Sequence, residues 1–324
     1  MFGLVMLSLI ILLSIFWGEG LGVWESGQGL SHGPLHGSRE SVIIWWVRLP
    51  RLITALVAGA TLSLTGAVMQ SLLRNDLADP YLLGVAAGGG LGGALSLSLG
   101  VVSTLGLWSL PFSSFCGALL SCYWVDRLAQ ASKDQLMTQG ESRWILSGVA
   151  LNLFLSALLT LTLSLSGEQL GGLWRWIIGH TQGLSWYEVM LMSTGALIGG
   201  CTLLIKQREI LLLEAGHEVA WTLGISVQKI RMITLVSIAL SVGAVVAYCG
   251  VIGFIGLLVP HFLRPYLIGS SRHLFSLSAL YGACLLTLCD LLAKMSPHPL
   301  PVGVVTGVLG GAAFLYSQHQ EHLE

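Results

Sequence analysis

Charge is what this sequence has least of. Lys, Arg, Asp and Glu make up 10% of its 324 residues, and 54% are hydrophobic. Soluble domains carry about 25% charged residues. With a mean hydropathy of +0.80, the chain cannot cover a water-facing surface. That excludes a soluble globular protein and points to a polytopic membrane protein. The net charge of −1 gives no basic surface for a nucleic-acid partner. No Cys-x-x-Cys pair occurs among Cys116, Cys122, Cys201, Cys249, Cys284 and Cys289, so these read as small buried hydrophobes and not as a metal or disulfide set. No G-x-x-x-x-G-K-[ST] stretch occurs, so the chain cannot cradle ATP phosphates, and uphill transport must draw energy from a partner. The apolar runs are almost free of ionisable residues, which ion-coupled carriers need within the bilayer. Asp290 is the exception, with Lys294 one turn later as an i,i+4 ion-pair partner or, alternatively, part of a proton relay. Nothing requires a cofactor or a metal.

What is present is a series of apolar runs. They predict ten spans near residues 2–18, 51–72, 82–102, 104–124, 144–166, 187–205, 230–249, 252–267, 275–293 and 301–317. The third is interrupted by Gly88 to Gly93 and the eighth by Pro260. The opening run lacks a basic leader and a small-x-small cleavage site, so it reads as an uncleaved span. The 41 glycines suit close helix packing in lipid. One set of loops carries Arg74, Arg127, Lys133, Arg143, Lys206, Arg208, Lys229, Arg231, Arg264 and Arg272. The other carries Arg39, Arg48, Arg51, Arg175 and Lys294, which places both termini in the cytoplasm. The runs opening at Arg48 and Lys229 resemble each other and run oppositely, as an inverted repeat requires.

Three stretches stand out. Residues 206–231 mix apolar and charged side chains, and Leu211, Leu212, Ala215, Val219, Trp221 and Leu223 can form one face of a short helix capped by Gly224. That face either packs on the bundle and headgroups or docks a soluble partner. In GFIGLLVPHFLRPYLIG (253–269), Gly253 and Gly256 are expected to allow close approach. Pro260 should end the helix there, with His261 and Arg264 meeting the freed carbonyls. Pro50 should break any helix leading into the second span, which leaves Arg48 and Arg51 at the outer mouth.

RLPRLITALVAGATLSLTGAVMQSLLRNDLADPYLLGVAAGGGLGGAL, AWTLGI, GVIGFIGLLVPHFLR and LPVGVVTGVLGGAAFLY occur in that order between about residues 45 and 317. Together they resemble FecCD-type permeases of ABC importers for iron chelates (siderophore or haem) and cobalamin. The resemblance implies an all-α integral membrane protein with the type II importer permease fold, an inverted repeat and about ten transmembrane helices. It implies one transmembrane domain over 1–324, with a cytoplasmic coupling segment near 206–231. It also implies a homodimer in the inner membrane and among its lipid, two ATPase subunits, and a periplasmic or lipid-anchored binding protein. Carried onto this sequence, Ala220, Leu223, Gly224, His261 and Arg264 would serve ATPase coupling, and Arg48, Arg51 and Lys294 would dock the binding protein. Gln70, Asn75, Pro80, Gly84, Gly253, Gly256, Pro260, Pro301 and Gly303 match structural positions of the motifs. Two departures are Asp76, where the family has proline, and Pro299, where it has glutamate. The competing expectation is a secondary transporter that works alone.

Overall fold

The protein was analysed as a computed structural model that describes residues 2–17, 22–34, 37–81, 84–106, 108–131, 140–165, 176–267, 273–296 and 300–321. Those residues are mostly helical and contain no strand. In chain order the helices are α1 (Phe2–Phe16), α2 (Val23–His32), α3 (Arg39–Val42), α4 (Leu49–Leu73), α5 (Val85–Ser98), α6 (Val101–Leu105), α7 (Ser109–Ala131), α8 (Gly140–Leu165), α9 (Trp186–Ile205), α10 (Gln207–Ala215), α11 (His217–Thr222), α12 (Val227–Cys249), α13 (Ile255–Leu263), α14 (Leu274–Met295) and α15 (Val302–Glu321). Each expected span coincides with a helix. Arg39–Leu73, α8 from Arg143, α9, α12 and α14 are long and apolar enough to cross a membrane, and shorter apolar helices cover Val5–Phe16, Val85–Ser98 and Val302–Ser317. Lys133, Arg175, Arg272 and Pro299 lie outside the described residues.

Burial sorts these helices. In α4 and α12, 78% of the most apolar window is buried, whereas in α8 the share is 11%. Thus α4 and α12 form the centre and α8 lies at the periphery. Backbones approach closely where glycines face each other: Gly59 on Gly282, Gly66 on Gly256, and Gly88 on Gly117. Without a hydrophobic drive between helices in lipid, such small-residue crossings supply the dispersion contact.

Two proline expectations are corrected. The chain stays helical from Arg39 to Leu73, because a π-helical turn at Ile43–Arg48 carries it past Pro50. Six residues in a wider turn absorb the ring that would clash in a regular helix. Trp186 donates its indole N–H to the Trp45 carbonyl in that turn, at 2.9 Å. Likewise α13 continues three residues beyond Pro260. The Gly256 carbonyl that Pro260 leaves without its helical donor lies against Gly66.

Regular helix is interrupted at residues 178–185, 250–254 and 300–301. These irregular segments and the helix ends beside them satisfy one another. His180 N–H donates to Cys249 O at 2.8 Å, Val251 N–H to Ile177 O at 3.4 Å, and Gly303 N–H to Gly179 O at 3.2 Å. Trp176 donates its indole N–H to Ala247 O at 2.9 Å. Non-helical backbone at membrane depth requires such cover.

Candidate functional site

At one end of the bundle, α10 and α11 form the expected segment. The α9–α10 junction is held by Lys206, whose Nζ lies 2.9 Å from Glu209 Oε1. This hydrogen bond holds the Glu209 carboxyl below the usual carboxylate range. On α10, Ile210 and Leu213 are buried against the bundle, and Ala220 of α11 joins the same core. Ala220 is therefore an anchor. The exposed apolar side chains are Val219, Trp221 and Leu223, at 44%, 77% and 59%. Gly224 ends the segment with φ +75° and open space around it.

Arg264 ties this segment to the membrane helices. Its Nη1 donates to Glu214 Oε1 on α10 at 2.8 Å, its Nε to Gln70 Oε1 at 3.3 Å, and its Nη2 to Ser71 Oγ at 3.3 Å. Asp76 Oδ1 lies 3.2 Å from the same Nε. The departure from proline at Asp76 thus contributes a carboxylate to this hub. Arg74 adds a second tie, donating to Leu213 O at 2.9 Å. The expectation that His261 and Arg264 would satisfy carbonyls of α13 is not met. Gln70 does so at Leu257 O, at 3.2 Å, while His261 faces Ser317 at 3.5 Å. Motif residues 75–81 and Gly84 adjoin this hub: Asn75 Oδ1 accepts from Leu77 N–H at 2.8 Å, Pro80 O accepts from Val85 N–H at 3.1 Å, and Gly84 O accepts from Ser121 Oγ at 2.8 Å. Gly256 makes the expected close approach, but Gly253 has nothing within 4 Å of where its Cβ would stand.

The opposite end holds the other expected cations, and there the structure differs from a free docking surface. Arg48 is 6% exposed; its Nη1 donates to Ile15 O at 2.7 Å and to Ser26 Oγ at 3.0 Å. Arg51 Nε donates to both oxygens of Asp290, at 2.9 and 3.1 Å. Lys294 Nζ lies 2.9 Å from the second oxygen and donates to Ser14 Oγ at 3.1 Å. Thr181 donates its hydroxyl to Asp290 as well. The i,i+4 pair read from sequence is real, but its central carboxylate also binds a residue 239 positions away.

Two features escaped sequence reasoning. Asp79 is 6% exposed, lies beside Gly256 at the start of α13, and accepts from Tyr81 N–H at 3.0 Å. A carboxylate there complements the positive end of a helix dipole; it was hidden because its loop folds back among the helices. On α8, Asn152, Ser156, Thr160 and Ser164 recur every fourth residue, and the last two are exposed. This spacing makes one polar ridge on a helix most of whose surface is left uncovered by the rest of the chain. The signal was visible in the sequence.

Residues 6–319 match the FecCD transport family. This chain belongs to that family. The vitamin B12 import system permease protein BtuC of Salmonella arizonae is 37% identical over 318 residues, covering 97% of this chain and 92% of the relative. The hemin transport system permease protein HmuU of Yersinia pestis is 34% identical over 327 residues, covering 98% and 94%. Among solved structures, a transporter described as of the metal-chelate ABC type, in an inward-facing conformation, superposes with a TM-score of 0.83 at 26% identity, covering 98% of this chain and 97% of that one. As a FecCD permease, the chain is a multi-pass membrane transport subunit of the type II importer fold, without catalytic chemistry of its own.

Proposed function

We propose that this FecCD permease moves an iron chelate, as siderophore or haem, or cobalamin across the inner membrane as a homodimer. Two ATPase subunits drive it, and a periplasmic or lipid-anchored binding protein delivers the ligand. The observation that carries this reading is the α10–α11 segment. It is fastened to the membrane helices by Arg264 and Arg74, and it presents Val219, Trp221 and Leu223 to water. A rigidly held segment with an exposed apolar tip can pass a push from a soluble motor to the bundle. The polar ridge of α8 supports a path between two copies, because a large polar ligand needs hydrogen-bonding groups where lipid would otherwise touch the helix. Thr160 and Ser164 satisfy their own hydroxyl protons on Ser156 O and Thr160 O, both at 2.9 Å, and keep lone pairs for a passing ligand. Docking of the binding protein through Arg48, Arg51 and Lys294 requires this end of the bundle to open, since all three are engaged internally.

Reconstituted liposomes test the energy source. Uptake with the ATPase and ATP present is expected to survive collapse of the ion gradient and to stop when the ATPase is omitted. Gradient-driven uptake by this chain alone would establish the secondary transporter instead.

Gly224→Leu tests the segment. The open space accommodates the side chain, and the left-handed backbone costs about 1–2 kcal/mol. The bundle should therefore assemble while ATP-driven uptake falls. Normal uptake by the well-folded variant would remove the coupling role.

A further inference from the structure

A groove outside both sites carries a different assignment. It runs between α7 and the first turns of α12, from Asp126 and Gln228 down to Leu119 and Val236, with a volume of about 790 Å³. Its walls are apolar: Leu120, Met232 and Val236 stand exposed, and Cys122 and Leu235 form the floor. From Val227 to Val236 the groove follows about 14 Å of helix axis. That is close to the hydrocarbon depth of one leaflet, roughly half of a core about 30 Å thick.

The rim is basic and held in place. Arg231 stacks on Trp144, with its guanidinium carbon 3.5 Å from the ring centroid. Its Nη2 lies 3.1 Å from Asp126 Oδ1, but off the line of a hydrogen bond, so this buried N–H group has no hydrogen-bond partner among the described residues. Arg127 lies over Tyr123 at 5.2 Å and donates to its hydroxyl at 3.1 Å. Lys229 is exposed on the first turn of α12. Arg127 follows Asp126 on α7 and Lys229 precedes Arg231 by two residues on α12, so the Asp126–Arg231 pair at the mouth of the apolar slot has a further basic side chain next to it on each helix.

We propose that this groove binds one anionic phospholipid, with an acyl chain along α7 and α12 and the phosphate between Arg127, Lys229 and Arg231. Basic pockets between transmembrane helices select anionic headgroups by this combination of charge and slot. Arg231, fixed by Asp126 and Trp144, orients the phosphate, and Arg127 and Lys229 supply the surplus charge. The assignment requires that the chain cross a membrane. It does not rest on the importer reading.

The test is native mass spectrometry of the purified permease from nanodiscs of equal phosphatidylglycerol and phosphatidylcholine. One phosphatidylglycerol per chain is expected to remain in preference to phosphatidylcholine. Arg127→Ala with Lys229→Ala should weaken that retention about 30-fold, from roughly fivefold per basic side chain at an anionic surface. Met232→Trp, which fills the slot, should abolish retention of either lipid. Both variants change exposed side chains, so their unfolding midpoints in lipid-free detergent should match the parent. Equal retention of the two lipids would overturn the site. So would variants that hold phosphatidylglycerol as the parent does, which would leave annular lipid only. Cross-linking of Met232→Cys to another protein chain in intact membranes would also overturn it, by showing the groove occupied by a protein.

Discussion

Asp290→Ala is expected to be among the most destabilising single changes in the molecule. The carboxylate is fully buried, and among the described residues it is the one that pairs with both the Arg51 guanidinium and the Lys294 ammonium, each at 2.9 Å. Removing one partner of a buried ion pair typically costs about 3–5 kcal/mol, because the remaining charge keeps its desolvation penalty without compensation. Here two cations would be left, in helices α4 and α14, which pack along their length through Gly59 and Gly282. Thr181 would lose its acceptor too, which loosens the irregular segment from α14. Asp290→Asn should cost less, since the amide oxygen still accepts hydrogen bonds. The informative partner is the triple change Arg51→Met, Asp290→Leu, Lys294→Met. Replacing a whole buried ionic cluster by apolar side chains of similar volume is often neutral or stabilising. The triple variant should therefore unfold well above Asp290→Ala. Unfolding midpoints in detergent or nanodiscs measure all three. A triple variant as unstable as the single one would show that the cluster does more than neutralise its own charges. By the same logic, Arg51→Glu would set two carboxylates together, and any loss of binding-protein capture would first have to be separated from loss of fold.

Gly250→Ala should prevent the folded state from accumulating. The residue adopts φ 68° and ψ −156°, a region essentially restricted to glycine. A Cβ there would also meet the Trp176 carbonyl oxygen inside van der Waals contact. The Trp176 backbone cannot withdraw. Its indole N–H is bonded to Ala247 O, and the following residues donate to the 249–251 stretch and accept from Val251 and Gly303. Backbone strain and overlap add, at a point where irregular segments already depend on each other for their hydrogen bonds. Gly253→Ala, three residues on, is the control. No atom lies within 4 Å of its Cβ position, so folding and assembly should be near normal. The readout is the monodisperse fraction after membrane extraction. Equal yields for the two variants would show that the junction tolerates rearrangement.

Composition and hydropathy determined the class of this protein and the approximate places of its apolar helices. The scarcity of charge leaves no other way to satisfy the surface, and each apolar run coincides with a helix among the described residues. The motif order determined the family, because glycines and prolines at those spacings mark the same close crossings and breaks. The i,i+4 pair of Asp290 and Lys294 and the apolar tip of α11 were also legible, since both depend on neighbours along one helix. Tertiary structure decided the rest. Whether Arg51 faces a binding protein or Asp290 depends on a residue far along the chain. Ala220 and Leu223 are close in sequence, yet one is core and the other faces water. Gly253 and Gly256 have the same local signal, and only Gly256 meets a partner helix. Pro50 and Pro260 read as helix breaks, but a π-helical turn and a facing glycine accommodate them. In each case the sequence supplies a group with a need, for charge, room or a hydrogen bond. Which distant group meets that need is a property of how the helices pack.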